Sequence, residues 1–224
     1  MKTFKRFTWL LAITALVLPR LAIAGDTEAG MVTLLQGSAS YTSGRDKDKP
    51  VVAFMKVRVG DKLTLHKDGK IQLVYFQGGR QETWRGAVKL VVGANESQAG
   101  SPSPSPEVKK LPPIVLQQLS RAPGVMSDIK NRSGMILVRS LPLLEMRKLD
   151  ETYTAMRKES AQDDVTPELY LLSGLHELKL YRDMKAVLEE MRRRQPNNSE
   201  VEAVYTRYSA LMNPTESDTP KSSP

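Results

Sequence analysis

Residues 101–106 read Ser-Pro-Ser-Pro-Ser-Pro, and this repeat divides the chain into two parts with different periodicity. Before the repeat, apolar residues alternate at every second position, and after it they recur at helical spacing. Proline cannot donate a backbone hydrogen bond, and a Pro/Ser repeat has almost nothing apolar to bury, so it predicts an extended, solvated spacer. The sequence therefore predicts a β domain over residues 25–97, a linker over 98–110, a helical domain over 111–212 and a disordered tail over 213–224.

The first residues have the layout of a secretory signal peptide. Three basic residues precede an apolar run over residues 7–18, and Ala22-Ile23-Ala24 fits a cleavage site. The apolar run is shorter than the roughly 20 residues that a membrane-spanning helix needs, and no second run of that length follows. We therefore expect residues 1–24 to be removed, no membrane span to be retained, and the product to be periplasmic or secreted. The competing interpretation is an uncleaved N-terminal anchor, because Arg20 is atypical in a cleavage region.

Composition narrows the chemistry that this chain can perform. The chain has no cysteine, which excludes disulfides, thiolate catalysis and Cys-ligated zinc. Its 33 basic and 25 acidic residues give a net charge of +8. Because residues 1–24 hold four of the basic residues and none of the acidic ones, the remainder carries +4. This excess is too mild to favour nucleic acid as a partner.

The first half alternates like short antiparallel strands separated by glycine-bearing turns. Leu63 and Leu65 alternate with polar residues, so their strand has one apolar face. The strand over residues 71–76, Ile-Gln-Leu-Val-Tyr-Phe, carries large apolar side chains on both faces, which predicts the centre of a sheet. Asp68-Gly69 between these two strands is typical of a hairpin turn, and Gly78-Gly79 predicts another turn.

These blocks resemble the FecR-type β domain. The resemblance rests on Gly37, on Gly60-Asp61-Lys62-Leu63, and on residues 71–76 closed by Gly78-Gly79. It covers residues 30–93, and it implies an envelope β module that binds rather than catalyses. Because an export signal directly precedes this domain, we do not expect a cytoplasmic segment that would contact a sigma factor.

The second half has helical periodicity. Residues 114–119 predict a short helix and residues 143–158 a longer one. Thr166-Pro167 is typical of a helix start, and Pro196-Asn197-Asn198 of the end of the next helix. Residues 135–138, Met-Ile-Leu-Val, fit either a lone strand or the wall of a helical core. One buried helix face is predicted at Met184, Val187, Leu188 and Met191.

The last helices resemble a tetratricopeptide repeat, in which paired antiparallel helices end in a Pro-Asn-Asn-like turn. The resemblance covers residues 166–212 and rests on Leu175-His176-Glu177-Leu178, Tyr181, Ala186, Leu188 and Pro196-Asn197-Asn198. Leu172 stands where the repeat usually has a small residue, and Lys179 where it often has glycine, so we expect wider helix packing than the family norm. The resemblance implies a helical groove that binds a protein partner.

Few side chains offer catalytic or metal-binding chemistry. His66 and His176 lie in different predicted domains, without the neighbouring motifs of nucleophilic or zinc catalysis. Asp163-Asp164 is a carboxylate pair of the kind that binds hard cations. Acids before a helix start also favour the positive end of the helix dipole, and we prefer that interpretation. We therefore predict no catalytic residue, no metal site and no cofactor, and a hydrolase is the least favoured class.

Two surfaces are candidate binding sites. The first combines the helical groove with a basic run, and its predicted partner contacts are Tyr170, Leu171, His176, Tyr205, Arg192 and Arg193. The basic run also fits a solvated face that complements the helix dipole. The second site is on the β domain, where an exposed Trp84 beside Arg80 and Arg85 would stack on a sugar or a peptide. Burial of Trp84 in the β core is the competing interpretation.

The sequence thus predicts an α+β protein, with a small antiparallel β sandwich or roll followed by a tetratricopeptide-like helical domain. The leading functional hypothesis is a non-enzymatic interaction or scaffold protein of the bacterial cell envelope, which binds a protein partner through its helical domain. The alternative is a protein that holds peptidoglycan or a polysaccharide with its FecR-like β domain.

Overall fold

The computed structural model describes residues 27–44, 46–122 and 142–212. Three sequence predictions lie outside these residues, namely the signal peptide over 1–24, the apolar tetrad over 135–138 and the tail over 213–224. Within the described ranges the chain forms ten strands and five helices. The fold is therefore mixed α+β, and all of its strand pairs are antiparallel.

The strands form two five-stranded sheets. In chain order they are β1 (Glu28–Gln36), β2 (Ala39–Ser43), β3 (Asp46–Pro50), β4 (Lys56–Arg58), β5 (Lys62–Leu65), β6 (Lys70–Tyr75), β7 (Arg80–Arg85), β8 (Val88–Val92), β9 (Ser97–Ala99) and β10 (Glu107–Lys110). Sheet A has the strand order β10-β7-β6-β1-β4, and sheet B has the order β3-β2-β5-β8-β9.

The alternating residues of the strands build the core between the two sheets. Leu63 and Leu65 of β5 point inward and meet Ile71 and Leu73 of β6 in one apolar cluster. The middle strand of sheet A is β6, and both of its faces are buried. This confirms the central strand that the sequence predicts from apolar residues at both parities.

The Asp68-Gly69 turn does not close a hairpin, so that prediction is wrong. The strand before the turn, β5, pairs with β2 and β8 in sheet B, whereas β6 pairs with β1 and β7 in sheet A. The turn therefore carries the chain from one sheet to the other. By contrast, Gly78-Gly79 joins β6 to β7, which do pair, and both glycines adopt positive φ values of 80° and 72°.

The Pro/Ser repeat connects two strands of the sheets. Ser97–Ala99 pairs with β8 before the repeat, and Glu107–Lys110 pairs with β7 after it. The predicted linker over 98–110 thus overlaps both strands, and the segment without strand or helix is 100–106. The physical reason is that β7 would otherwise present an unpaired edge, and the returning chain satisfies its backbone groups.

The helices follow the strands in the chain. They are α1 (Pro113–Arg121), α2 (Pro142–Glu159), α3 (Thr166–Glu177), α4 (Tyr181–Arg194) and α5 (Ser199–Met212). In α4 the buried residues are Met184, Val187, Leu188 and Met191, which confirms the predicted face. Packing continues in chain order, with α2 on α3, α3 on α4 and α4 on α5. Among the described residues, no helix has the length and apolarity to cross a membrane.

The helices pack on the outer face of sheet A. Val74 of β6 and Phe54 share one apolar core with Val115 and Leu119 of α1 and with Leu172 of α3. Because the opposite face of β6 is covered by sheet B, this arrangement removes both faces of the strand from water, which is favourable by about 25 cal/mol per Å² of apolar surface. The two predicted domains are therefore joined by a common core, and the Pro/Ser repeat does not hold them apart.

Candidate functional site

Two residues of the predicted helical groove are not on the surface. Tyr170 is 2% exposed, and Leu171 is also buried. The Tyr170 hydroxyl hydrogen-bonds with Thr152 of α2, and burial raises the pKa of this tyrosine. Both side chains therefore stabilise the contact between helices, and the prediction that they contact a partner is corrected.

His176 lies in an aromatic cluster at the end of α3. Its ring centroid is 6.2 Å from that of Tyr181 and 5.6 Å from that of Tyr208, and both pairs meet edge to face. Burial lowers the pKa of His176, because the cluster disfavours the imidazolium form. This half-buried histidine thus packs as a neutral aromatic ring between α3, α4 and α5. His66 is exposed in the turn between β5 and β6.

The basic run of α4 is paired within the protein. The Arg192 Nε donates to Glu202 Oε1 at 2.6 Å, and its guanidinium carbon is 4.4 Å from the ring centroid of Tyr205. Arg193 forms an ion pair with Glu190 one turn earlier. The Arg192 contacts join α4 to α5, whereas the Arg193–Glu190 pair lies within α4. Both match the solvated-face interpretation, so Tyr205 and the two arginines already have partners inside the chain.

Trp84 is 3% exposed, and burial in the β core is what the structure shows. Its Nε1 donates to Glu82 Oε2 at 3.0 Å, and Arg80 Nε donates to the other oxygen of the same carboxylate at 2.6 Å. Arg85 is exposed and lies 3.7 Å from Glu107. The three residues of the glycan hypothesis therefore do not form an exposed stacking platform.

Asp163 and Asp164 face sheet A from the loop between α2 and α3. Asp163 accepts hydrogen bonds from Lys70 Nζ at 2.5 Å and from Gln36 Nε2 at 3.0 Å. Burial tends to raise the pKa of Asp163, but the hydrogen bond and the charge of Lys70 outweigh it and hold this pKa below its ordinary value. The first carboxylate is thus an ion-pair partner of the sheet.

The second carboxylate of this pair is buried. Asp164 Oδ1 accepts from Gln72 Nε2 and from the Thr166 backbone nitrogen, both at 2.9 Å, and Oδ2 accepts from Gln81 Nε2 at 3.0 Å. The bond to Thr166 satisfies a donor at the start of α3, in agreement with the preferred helix-start interpretation. Gln72 and Gln81 lie on β6 and β7, so this carboxylate also fastens the helices to sheet A. In the ranges that the structure describes, no group of three or more His, Asp or Glu side chains is placed to hold a metal ion.

A charged cluster that sequence reasoning missed lies between α2, α3 and α4. Glu168 is fully buried and accepts from Arg157 Nη1 at 2.9 Å, while Arg194 Nε lies 3.2 Å from its other oxygen. Burial, followed by the charge of Glu168, raises the pKa of Tyr153 to about 12. In the sequence Glu168 looks like an ordinary acid in a first helical turn, because its cationic partners come from other helices.

One groove on the surface combines an apolar wall with a rigid support. We name it the α1 groove; it has a volume of 810 Å³ and is lined by Phe76, Gly78, Gly79, Lys110, Leu111, Pro113, Ile114, Leu116, Gln117 and Ser120. Ile114 is 48% exposed, whereas Val115, Leu116 and Leu119 of the same helix are buried. The sequence carried a signal for this surface, because Ile114 is an apolar residue outside the buried stripe of its helix.

Comparison of the chain with protein-family models, with curated proteins and with solved structures found no match. The FecR-like and tetratricopeptide-like interpretations therefore rest on the residues alone.

Proposed function

We propose that this protein is an exported, non-enzymatic interaction or scaffold protein of the bacterial cell envelope, and that it binds a protein partner in the α1 groove. The observation that carries this proposal is the exposed Ile114, displayed on a helix whose opposite face is fixed in the core shared by helices and sheet A. Apolar pockets with a polar rim are typical of protein-binding surfaces.

The α1 groove is held in place from both sides. Val115 and Leu119 are fully buried beneath it, and the Gln118 amide donates to Ser173 of α3 at 3.3 Å. Lys56 of β4 donates to the Ser120 carbonyl at 3.0 Å. A surface fixed in this way loses little conformational entropy on binding. Covering a half-exposed isoleucine contributes part of the roughly 1.5–3 kcal/mol that complete burial of such a side chain provides.

The FecR-like interpretation of the β part is retained in this proposal. It is supported by turn geometry at the glycines of the resemblance, since Gly37 and Gly60 adopt positive φ values of 75° and 93°. Asp61 Oδ2 accepts from the Arg58 backbone nitrogen at 2.8 Å, which stabilises the turn before β5. The residues that carry the FecR resemblance therefore determine the backbone conformation of turns, as expected for a binding module.

The tetratricopeptide-like interpretation is retained for α3 to α5. It is supported by the successive packing of these helices and by the turn that joins α4 to α5. In this turn Asn197 has a positive φ of 66°, and Asn198 Oδ1 accepts from the Glu200 backbone nitrogen at 2.9 Å. An amide at that position caps the following helix, which explains the Pro-Asn-Asn sequence physically.

Photo-crosslinking in intact cells tests the proposed site. A photo-reactive amino acid at position 114 should capture a discrete protein, whereas the same group at Leu144 should not, although both residues are 48% exposed. Adding Gln117→Arg to the position-114 probe should reduce capture, because it places a charge on the groove rim. Equal capture from both positions, or none from position 114, would contradict the proposal.

Export is tested separately by sequencing the N-terminus of the protein recovered from the envelope fraction. A start at Gly25 supports removal of residues 1–24. A start at Met1 would contradict cleavage, and recovery only from the cytoplasm would contradict the proposed location.

A further inference from the structure

The strand β10 forms an open edge of sheet A. It pairs with β7 on one side, and the strand order places no described strand on the other. The Leu111 backbone nitrogen donates to the Gly79 carbonyl at 2.7 Å in the same register. Because backbone groups alternate in direction along an antiparallel strand, Glu107 and Lys109 also face β7, and the backbone groups of Val108 and Lys110 face the open edge.

The open edge is not shielded in the usual way. A lysine on an edge strand ordinarily hinders pairing with another strand. The Lys109 amine instead donates to the Glu159 carbonyl at 3.0 Å and to Ser160 Oγ at 3.4 Å, so it is held against the end of α2 and away from the open edge. Val108 at the centre of the strand is 48% exposed. A groove of 370 Å³, with Lys109, Lys110, Thr152 and Met156 among its lining residues, runs between β10 and α2.

We propose that β10 pairs antiparallel with β10 of a second copy of this chain, about a two-fold axis at Val108. The N–H and C=O groups of Val108 point away from β7. In a hydrogen-bonded antiparallel pair the two opposed residues exchange both of their N–H···O bonds, and Val108 of the copy can supply the second pair of groups. In this register Glu107 of each copy lies opposite Lys109 of the other, in the position where side chains approach most closely. The pair forms when the Lys109 amine exchanges its hydrogen bonds to α2, and Glu107 its 3.7 Å contact with Arg85, for the opposite charge of the copy. The Glu-Val-Lys sequence is therefore complementary to itself, and opposite charges across strands stabilise such pairing.

The pairing joins sheet A of the two copies into one continuous sheet. Its extent is limited by Pro106, which has no N–H to donate to Lys110 of the copy. An interface this small is weak and reversible, so dimer formation depends on concentration. This inference goes beyond the proposed function, since it concerns the edge of sheet A and a second copy of this chain. The two surfaces adjoin, because Lys110 and Ile114 line both the α1 groove and the groove beside β10.

Disulfide trapping tests the register, because the natural chain has no cysteine. Under mild oxidation the full chain with Val108→Cys should form a covalent dimer, since residues in a hydrogen-bonded antiparallel pair have Cα atoms about 5.5 Å apart, within disulfide range. Val91→Cys is the matched control, because Val91 is 38% exposed but lies on β8 inside sheet B. Dimer formation about tenfold faster for the Val108 variant is expected, and equal rates would overturn the proposal.

Analytical ultracentrifugation with a charge swap provides the second test. Glu107→Lys alone should weaken self-association, and adding Lys109→Glu should restore it, because each copy again faces an opposite charge. Far-UV circular dichroism verifies that each variant is folded. The proposal would be overturned if the wild-type chain stayed monomeric at every concentration, or if the double variant associated no more strongly than the single one. It would also be overturned if β10 paired with an unrelated extended peptide and not with a second copy of the chain.

Discussion

Replacing Asp164 with alanine tests whether the helices and the sheets unfold as one unit. The Asp164 carboxylate is buried and accepts hydrogen bonds from the Gln72 and Gln81 side chains and from the Thr166 backbone. Alanine removes all of these acceptors. The Gln72 amide keeps its bond to the Thr166 hydroxyl at 3.1 Å, but the buried Gln81 amide loses the acceptor that links it to the helical part.

The expected loss of stability follows from these contacts. A hydrogen bond to a charged group contributes about 1.5–3 kcal/mol, and a buried donor left unpaired costs about 1–3 kcal/mol. Because bonds within one network are not additive, we expect the free energy of unfolding to fall by about 3–4 kcal/mol. With a urea dependence of about 2 kcal/mol per molar, the midpoint falls by about 1.5–2 M.

Two probes report on the two parts of the fold. In a Trp9→Phe background Trp84 is the only tryptophan, so its fluorescence follows the β core, and far-UV circular dichroism is dominated by the helices. Both urea midpoints should fall together in Asp164→Ala. Asp163→Ala is the comparison variant, because the Asp163 side chain is 30% exposed and water can reach the groups that it leaves. Its loss should cost about 1–2 kcal/mol, which is less than the loss of Asp164. A fall in the dichroism midpoint with an unchanged fluorescence midpoint would refute a single cooperative unit.

Two further predictions concern single side chains. Burial lowers the pKa of His176, so the unfolded chain takes up a proton more readily, and the free energy of unfolding should decrease as the pH falls below about 6.5. His176→Phe keeps an aromatic ring and should flatten this part of the pH dependence in urea titrations, and an unchanged slope would contradict the assignment. Gly30→Ala places a Cβ 2.2 Å from the Val74 carbonyl oxygen and should lower the free energy of unfolding by about 1–3 kcal/mol. Gly100→Ala adds a Cβ with open space around it, so the free energy of unfolding from the same urea titrations should be nearly unchanged. Equal losses in the two variants would contradict the steric argument.

The candidate site could be predicted only in part. The sequence marks Ile114 as apolar and the basic run as a helix terminus, but exposure is decided by what packs on each side chain. Trp84 and Tyr170 look equally suited to surface binding or to a core, and the structure buries both because sheet B covers one and α2 covers the other. The paired carboxylates resemble a cation site until Lys70 is placed beside them.

The sequence by itself determined part of the local structure of this protein. Alternation defined β5 and β8, two apolar faces marked β6 as central, and the spacing in α4 identified its buried side, because these features depend on neighbours within a few residues. Only the tertiary structure decided that the Asp68-Gly69 turn crosses between sheets, that β10 returns to β7 beyond the Pro/Ser repeat, and that the helices cover sheet A. These are choices between partners distant in the chain. Periodicity shows that a face must be buried, whereas the packing of the whole chain selects the surface that buries it.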